Sequence, residues 1–349
     1  MTRYGAAEKY LGRVIIRVQD DNGLEGWGES SPLPKFTGET AASTAVALRP
    51  AMDRLQGKTL ENPVAAIGEL TDFSSCPAAR AGLEVALLDL ECKAVGRSLA
   101  DRLGGERRTE IATTRPFGIV PIPEAMNLGR RLFKEGFRTF KMKVGVDPES
   151  DAARIRAVRE AFPEEVRIRV DANGGFTRSQ AIDFAGRIQG LSLEYFEQPT
   201  APDAEGAIET FRAIREMGVR VVVDESIFSV EDARKLIEKD AVDGGVIKII
   251  KFGGLLVSRE TIREFEKAGK FIVVVSPYEC HIGKAAGLAL ALSMERCEYA
   301  QELGNMPFEL GFSDWRYRKE GGTLIPDSGA GHGGWGIVPN LSSIAKAAA

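Results

Sequence analysis

Val219-Arg220-Val221-Val222-Val223-Asp224-Glu225-Ser226 is a short β-branched run that closes on an acid. Valines in succession, with no polar alternation, read as a strand buried on both faces. Outward from it, the same plan recurs in Glu194–Glu197 and Arg167–Asp171 on one side and Gly245–Ile249 on the other. Thr114–Gly118, Thr139–Lys143, Phe271–Val275 and Cys297–Glu302 complete a set of strand candidates. Amphipathic stretches lie between them at Pro148–Ala161, Ser179–Ile188, Ala207–Met217, Val230–Lys239 and Val257–Ala268. Even spacing of such units predicts a closed parallel barrel of ~200 residues, in preference to an open doubly wound sheet.

Ahead of this series the rhythm differs. Arg13–Val18 and Glu25–Glu29 flank the turn Asp20-Asp21-Asn22-Gly23, which predicts a hairpin. Helical patterns follow over Thr40–Leu55, Pro63–Phe73 and Ala78–Val95, so 1–105 is expected to form a small α+β domain. The barrel is assigned to 106–305. The turn-rich segment 306–349 is expected to pack back on the first domain through Gly321–Pro326.

Composition removes several classes of function. With 349 residues, 44% apolar and 28% charged, a sizeable core is well supplied. A net charge of −4 offers no basic face to nucleic acid. Uninterrupted apolar runs such as Phe271–Val275 are far shorter than the ~20 residues of a membrane span, and the opening residues lack a secretory pattern. Cys76, Cys92, Cys280 and Cys297 show no C-x-x-C spacing, which points to reduced thiols, a cytoplasmic setting and no structural zinc. Only His281 and His332 are present, so acid–base chemistry must rely on lysines and carboxylates.

The charged residues recur at one phase of the repeat. Asp171, Glu197, Asp224 and Lys248 each lie at or near a strand end, and Lys141 and Lys143 close the strand before them. In a barrel those ends converge on one mouth, where active sites are built. Three carboxylates crowded there repel one another unless protonated or joined by a cation. Oxygen ligands without His or Cys suit Mg²⁺, with Mn²⁺ also accommodated and zinc disfavoured. The alternative is that the acids cap the helices that follow, which explains one acid more readily than three in phase.

Lys141 and Lys143 stand two apart, so both side chains face the same way and Met142 faces the other. If they project inward, each is expected to depress its neighbour's pKa towards that of a usable base. Lys248 falls four strands further round, roughly opposite. Flanking Phe140, Val144, Ile247 and Ile249 favour burial over a solvent-facing, snorkelling role.

Lys141-Met142-Lys143, Val170-Asp171-Ala172-Asn173, Phe196-Glu197-Gln198-Pro199, Asp224-Glu225-Ser226 and Ile247-Lys248-Ile249 with Gly253-Gly254-Leu255 resemble the enolase superfamily. The lysine on the sixth strand is similar to the muconate lactonizing enzyme subgroup. Gly26-Trp27-Gly28-Glu29 and Pro326-Asp327 resemble its terminal marks. The resemblance implies an α/β fold: a modified TIM barrel, (β/α)7β, under an N-terminal α+β capping domain completed by the C-terminal segment. It implies Mg²⁺ on Asp171, Glu197 and Asp224, with Lys143 and Lys248 as acid–base residues on opposite faces and Lys141 tuning Lys143. Asn173 and Glu225 would stand beside the metal ligands. The substrate would be a small-molecule carboxylate, and the assembly a homo-oligomer.

Departures from the pattern bear on specificity. Thr2-Arg3-Tyr4-Gly5 stands where the family has an earlier strand, so the capping domain is expected to lack it. Tyr4, Phe36 and Thr37 fall where the family shapes a specificity loop. Dipeptide epimerases of the subgroup resemble one another in an Asp-x-Asp pair on the eighth strand; here the residues are Glu302-Leu303-Gly304, closer to cycloisomerases. Glu279 and His281, after strand seven, are weaker candidates for substrate contact. The favoured reaction is racemisation or epimerisation of an N-acyl amino acid or related derivative. Muconate-type cycloisomerisation, o-succinylbenzoate synthesis and dehydration use the same parts. A metal-free Schiff-base aldolase would leave the acids without a role, as would a non-catalytic binding barrel.

Overall fold

The computed structural model describes residues 12–59, 64, 67, 73–303, 313–314, 317–326, 334 and 338–340. Strands β1 (Val14–Gln19) and β2 (Glu25–Ser30) pair antiparallel, with Val14 opposite Ser30 and Gln19 opposite Glu25. Asp20 shapes their turn, its Oδ1 accepting the Asn22 and Leu24 amides at 2.9 and 2.8 Å. Thr40 and Ser43 form a reciprocal capping box that starts the Ala41–Leu55 helix. The helix expected over Pro63–Phe73 lies mostly outside the described residues. The Pro77–Ala94 helix lies directly on β2. A Cβ on Gly26 or Gly28 would stand 2.2 Å from the Ala86 carbonyl or 1.9 Å from that of Gly82, so this approach requires glycine at both positions.

Strand β3 (Ile111–Ala112) precedes the barrel. The barrel strands are β4 (Arg115–Phe117), β5 (Thr139–Lys143), β6 (Arg167–Asp171), β7 (Phe196–Glu197), β8 (Val221–Val223), β9 (Gly244–Ile247) and β10 (Phe271–Val274). They pair in parallel and in chain order. Each is followed by a helix before the next stave. Closure is made by Gln301 and Glu302, which bridge to Thr113 and Val275 respectively. The result is a (β/α)7β modified TIM barrel. The eighth stave is shorter than the Cys297–Glu302 expectation. The Ala300 carbonyl accepts Arg169 Nη1 at 2.9 Å from inside the barrel, so the ladder begins only at Gln301.

Side-chain parity separates two cores. Phe140, Met142, Val170, Phe196, Val221, Val223 and Ile247 pack outward against the surrounding helices. Tyr195, Val222, Val246, Phe271, Val273 and Val275 face one another in the lumen. Fully buried Arg169 fills the base, bonding Glu194 at 2.8 Å and the Tyr195 hydroxyl at 2.9 Å, beside the stacked Phe271 and Tyr299 rings.

The Gly321–Pro326 return is the hairpin of β12 (Tyr317–Glu320) and β13 (Thr323–Pro326); β11 (Ser313–Asp314) pairs separately with β14 (Val338–Pro339). This hairpin extends β3 rather than the β1–β2 pair. Gly334 bridges to Ser98 at the end of the first region. Among the described residues no helix is long and apolar enough to cross a membrane.

Candidate active site

Inward parity continues to the C-terminal strand ends, where the lumen changes from apolar to charged. Lys141 and Lys143 on β5 stand level with Arg169 and Asp171 on β6, and Asp171 stands level with Glu197 on β7. Asp224 and Lys248 directly follow β8 and β9. Round the ring the order is therefore lysine, three carboxylates, lysine.

Lys141 is the hub. Its buried ammonium reaches Glu302 at 2.6 Å, Glu197 at 2.8 Å and Asp171 at 3.1 Å. Burial alone would depress its pKa, but Asp171, Glu197 and Glu302 together hold it well above the ordinary lysine value. For Lys141 this corrects the expectation that a neighbouring lysine would depress it. The acids delivered by β6, β7 and the eighth stave outweigh one like charge. Burial likewise acts against the Lys248 ammonium and is more than offset by its ion pair with Asp224, so it too is raised.

Lys143 has the most open side chain of these lysines, at 14% exposure. It donates to Asp171 and, at 2.9 Å, to Asn173 Oδ1. Its own carbonyl accepts Arg154 Nη2 at 2.7 Å. Arg154 is in turn bonded to Asp151, whose other oxygen collects the Gly145, Val146 and Asp147 amides. The strand end is thereby tied to the helix it feeds. Asn173 adopts the left-handed conformation, φ 46°, which turns its amide back to Asp171 and on to Glu225 at 3.1 Å.

The carboxylates differ in character. Burial would raise Asp171, yet Lys141 and Lys143 hold it well below the usual range. Asp224, opposed in the same way by Lys248 and Lys251, is lowered to about 2. Glu197 is pushed well above the ordinary value, first by burial and then by the charge of Asp171. Its Oε2 is buried, and among the described residues no donor reaches it.

As the side chains stand, no three His, Cys, Asp or Glu groups among the described residues converge on a point where an ion would sit. Lys141 occupies the ground between Asp171 and Glu197, while Lys248 and Lys251 draw Asp224 aside. The donor set nevertheless suits a hard cation: neighbouring strand-end carboxylates, an orphaned carboxylate oxygen, and burial and like-charge strain on Glu197 that Lys141 offsets only in part.

Some weaker candidates also gather here. The Phe36 ring lies 4.1 Å from the Lys248 ammonium and 5.6 Å from the Phe228 ring. Glu302 belongs to the hub and Glu225 to Asn173. Thr37 instead bonds the Leu33 carbonyl at 3.3 Å, within its own turn. Glu279 bonds Ser276 at 2.6 Å and lies beside Glu29, at the junction with the first domain. His281 begins the helix that follows. Tyr4 and His332 lie outside the described residues.

Sequence reading missed Lys251 and Gln198. Lys251, with a fully buried side chain, donates to the Asp224 carbonyl at 2.7 Å, Asp224 Oδ1 at 3.0 Å and the Val246 carbonyl at 3.0 Å. The signal was present: a second lysine three residues after Lys248 in an otherwise apolar run. Gln198 Oε1 accepts the amides of Asp224 at 3.0 Å and Ser226 at 3.2 Å, bracing the next strand end from a left-handed backbone.

Comparison with known proteins follows the same lines. Residues 7–104 match the family described as Mandelate racemase / muconate lactonizing enzyme, N-terminal domain, and residues 124–337 match Enolase C-terminal domain-like. The N-succinylamino acid racemase of Thermus thermophilus is 34% identical over 283 residues, spanning 80% of this chain and 74% of that protein. The substrate-liganded L-Ala-D/L-Glu epimerase from Bacillus subtilis superposes with a TM-score of 0.86 at 26% identity, covering 94% of this chain and 92% of its own. A dipeptide epimerase from Enterococcus faecalis V583, complexed with Mg and the dipeptide L-Leu-L-Tyr, gives 0.79 at 26% identity, covering 93% and 91%. The chain belongs to the mandelate racemase/muconate lactonizing enzyme family, and is an isomerase of the enolase superfamily.

Proposed function

We propose that the protein is a racemase or epimerase of N-acyl amino acids, moving the proton α to the carboxylate between Lys143 and Lys248. One observation carries this reading. The two lysines end staves four apart in an eight-stave ring, and Asp171, Glu197 and Asp224 occupy the three strand ends between them. A substrate lying over the carboxylates presents one face to each amine. Lys143, directed by Asp171 and Asn173, would serve one face, and Lys248, directed by Asp224 beneath Phe36, the other. One amine enters neutral and accepts the proton; the other enters as an ammonium and donates to the opposite face.

Asp171, Glu197 and Asp224 would hold Mg²⁺ or Mn²⁺, as the Mg complex of the similar dipeptide epimerase supports. When bound, the cation supplies positive charge where negative charge develops on the substrate carboxylate. Among derivatives, N-acyl amino acids are favoured over dipeptides. The eighth-stave acid, Glu302, is already bonded to Lys141 and so is poorly placed to receive a free α-ammonium.

The test is incubation of N-succinyl and N-acetyl amino acids, dipeptides and muconates in D₂O with Mg²⁺, read by mass spectrometry. N-acyl amino acids should gain one deuteron. Lys143→Ala and Lys248→Ala should each lose exchange from one enantiomer, and opposite ones. Exchange from dipeptides or muconates alone would replace the substrate assignment; indifference to both substitutions would end the two-lysine mechanism.

A further inference from the structure

Lys248 is gripped from a distance by the first domain. After Lys248 the chain makes one short helix, Ile249–Phe252, then Gly253 and Gly254, and enters the Leu255–Lys267 helix. This link is stiff. The Lys248 carbonyl accepts the Lys251 amide at 2.8 Å, and the Gly254 amide closes on the Ile249 carbonyl at 3.2 Å. Its far end is held by two residues one turn apart on the Pro77–Ala94 helix. Glu84 is completely buried, and its Oε1 accepts the Leu256 amide at 2.9 Å. Arg80 pairs with Glu84 Oε2 at 3.0 Å and donates to the Gly253 carbonyl.

The fit leaves no slack. Gly254 has φ 148°, and a Cβ there would lie 2.3–2.5 Å from the Glu84 carboxylate. Glu84 and Gly254 thus specify each other, 170 residues apart, where a helix end could have been capped by a local Asp or Ser. Among the described residues the supports of Lys143 come from within the barrel: Asp171, Asn173 and, through its carbonyl, Arg154.

We infer that Arg80 and Glu84 are positioning residues for Lys248 and not for Lys143, so that docking of the first domain sets one of the two acid–base groups. The inference rests on the two-lysine reading above. It predicts an asymmetry that loss of general structural support does not produce. If Lys248 drifts while Lys143 stays, the enantiomer facing Lys143 is still deprotonated and reprotonated on the same face, exchanging without inverting. The enantiomer facing Lys248 is left inert.

The experiment measures α-hydrogen exchange in D₂O separately from each enantiomer, for Glu84→Ala, Glu84→Gln and Gly254→Ala, with Lys143→Ala and Lys248→Ala as references. Circular dichroism at the assay temperature identifies the variants that fold. Glu84→Ala and Gly254→Ala should lose about tenfold or more of the exchange from the Lys248-facing enantiomer and keep the other within about twofold. Glu84→Gln retains the carbonyl acceptor and the shape and should recover most of the loss. Gly254→Ala reaches the same contact from the barrel side, so the question stands even if one variant fails to fold. Parallel loss from both enantiomers in Glu84→Ala or Gly254→Ala, with Lys248→Ala one-sided, overturns the positioning role. A Lys248→Ala variant that is itself not one-sided overturns the underlying mechanism instead.

Discussion

Lys141 is the residue on which the charged end of the lumen turns. One ammonium compensates three carboxylates at 2.6–3.1 Å, all of them almost without access to solvent. Removing one partner of a buried ionic cluster leaves the others uncompensated, which costs about 3–5 kcal/mol. Lys141→Met should lose about this much in urea titrations in EDTA and recover part of it in Mg²⁺, since a cation can replace the missing charge. A Lys141→Met urea midpoint that Mg²⁺ leaves unchanged would show that no cation is taken up among these acids in the variant. Glu279 behaves differently. Burial raises it to about 7, with Glu29 adding to the shift and Ser276 opposing it. The folded chain therefore keeps this proton at pH values where the unfolded chain has released it. Stability contributed by Glu279 is present below pH 4.5 and declines as pH rises towards 7, by about 3 kcal/mol in all. Glu279→Gln should remove that slope from a plot of urea midpoint against pH; an unchanged slope would assign it to other groups.

At the scale of elements, strands with a charged last residue were plain in the sequence, because an apolar run closing on an acid or lysine is a local pattern. The supports of those strands were not. Glu29, Glu39 and Glu84 each accept amides at the start of a helix that is remote in sequence. Glu29 takes Cys280 and Gly283, Glu39 takes Ala78 and Ala79, and Glu84 takes Leu256. A glutamate on a strand, in a loop or within a helix carries no local sign that it will cap a remote helix. Glu39 gives the simplest check. It satisfies two amides of the Pro77–Ala94 helix at 3.0 and 3.2 Å, and Glu39→Ala should cost about 2 kcal/mol of unfolding free energy. A cost within error of zero would mean that water takes over both bonds. The eighth stave was overdrawn for a related reason: the guanidinium that claims the Ala300 carbonyl arrives from β6.

Over the whole molecule, parity and barrel closure decided what could be foreseen. The lysines and carboxylates were legible as one constellation because equal spacing in a closed ring sends equal phases to the same end. Their mutual effect was not, since Lys141 is raised by Asp171 and Glu197 from the neighbouring strands and further by Glu302 from across the seam of the barrel, 161 residues away. Lys251 escaped notice because its three acceptors lie on neighbouring strands and become visible only in three dimensions. The base of the barrel adds a consequence of its own. Among the described residues, Arg169 packed with Tyr195, Phe271 and Tyr299 plugs the lumen below the charged end. Hydrogen passing between the solvent and the Lys143 and Lys248 amines therefore crosses the charged end, so on the two-lysine reading amines equilibrated with D₂O while the site is empty carry deuterium to the next guest.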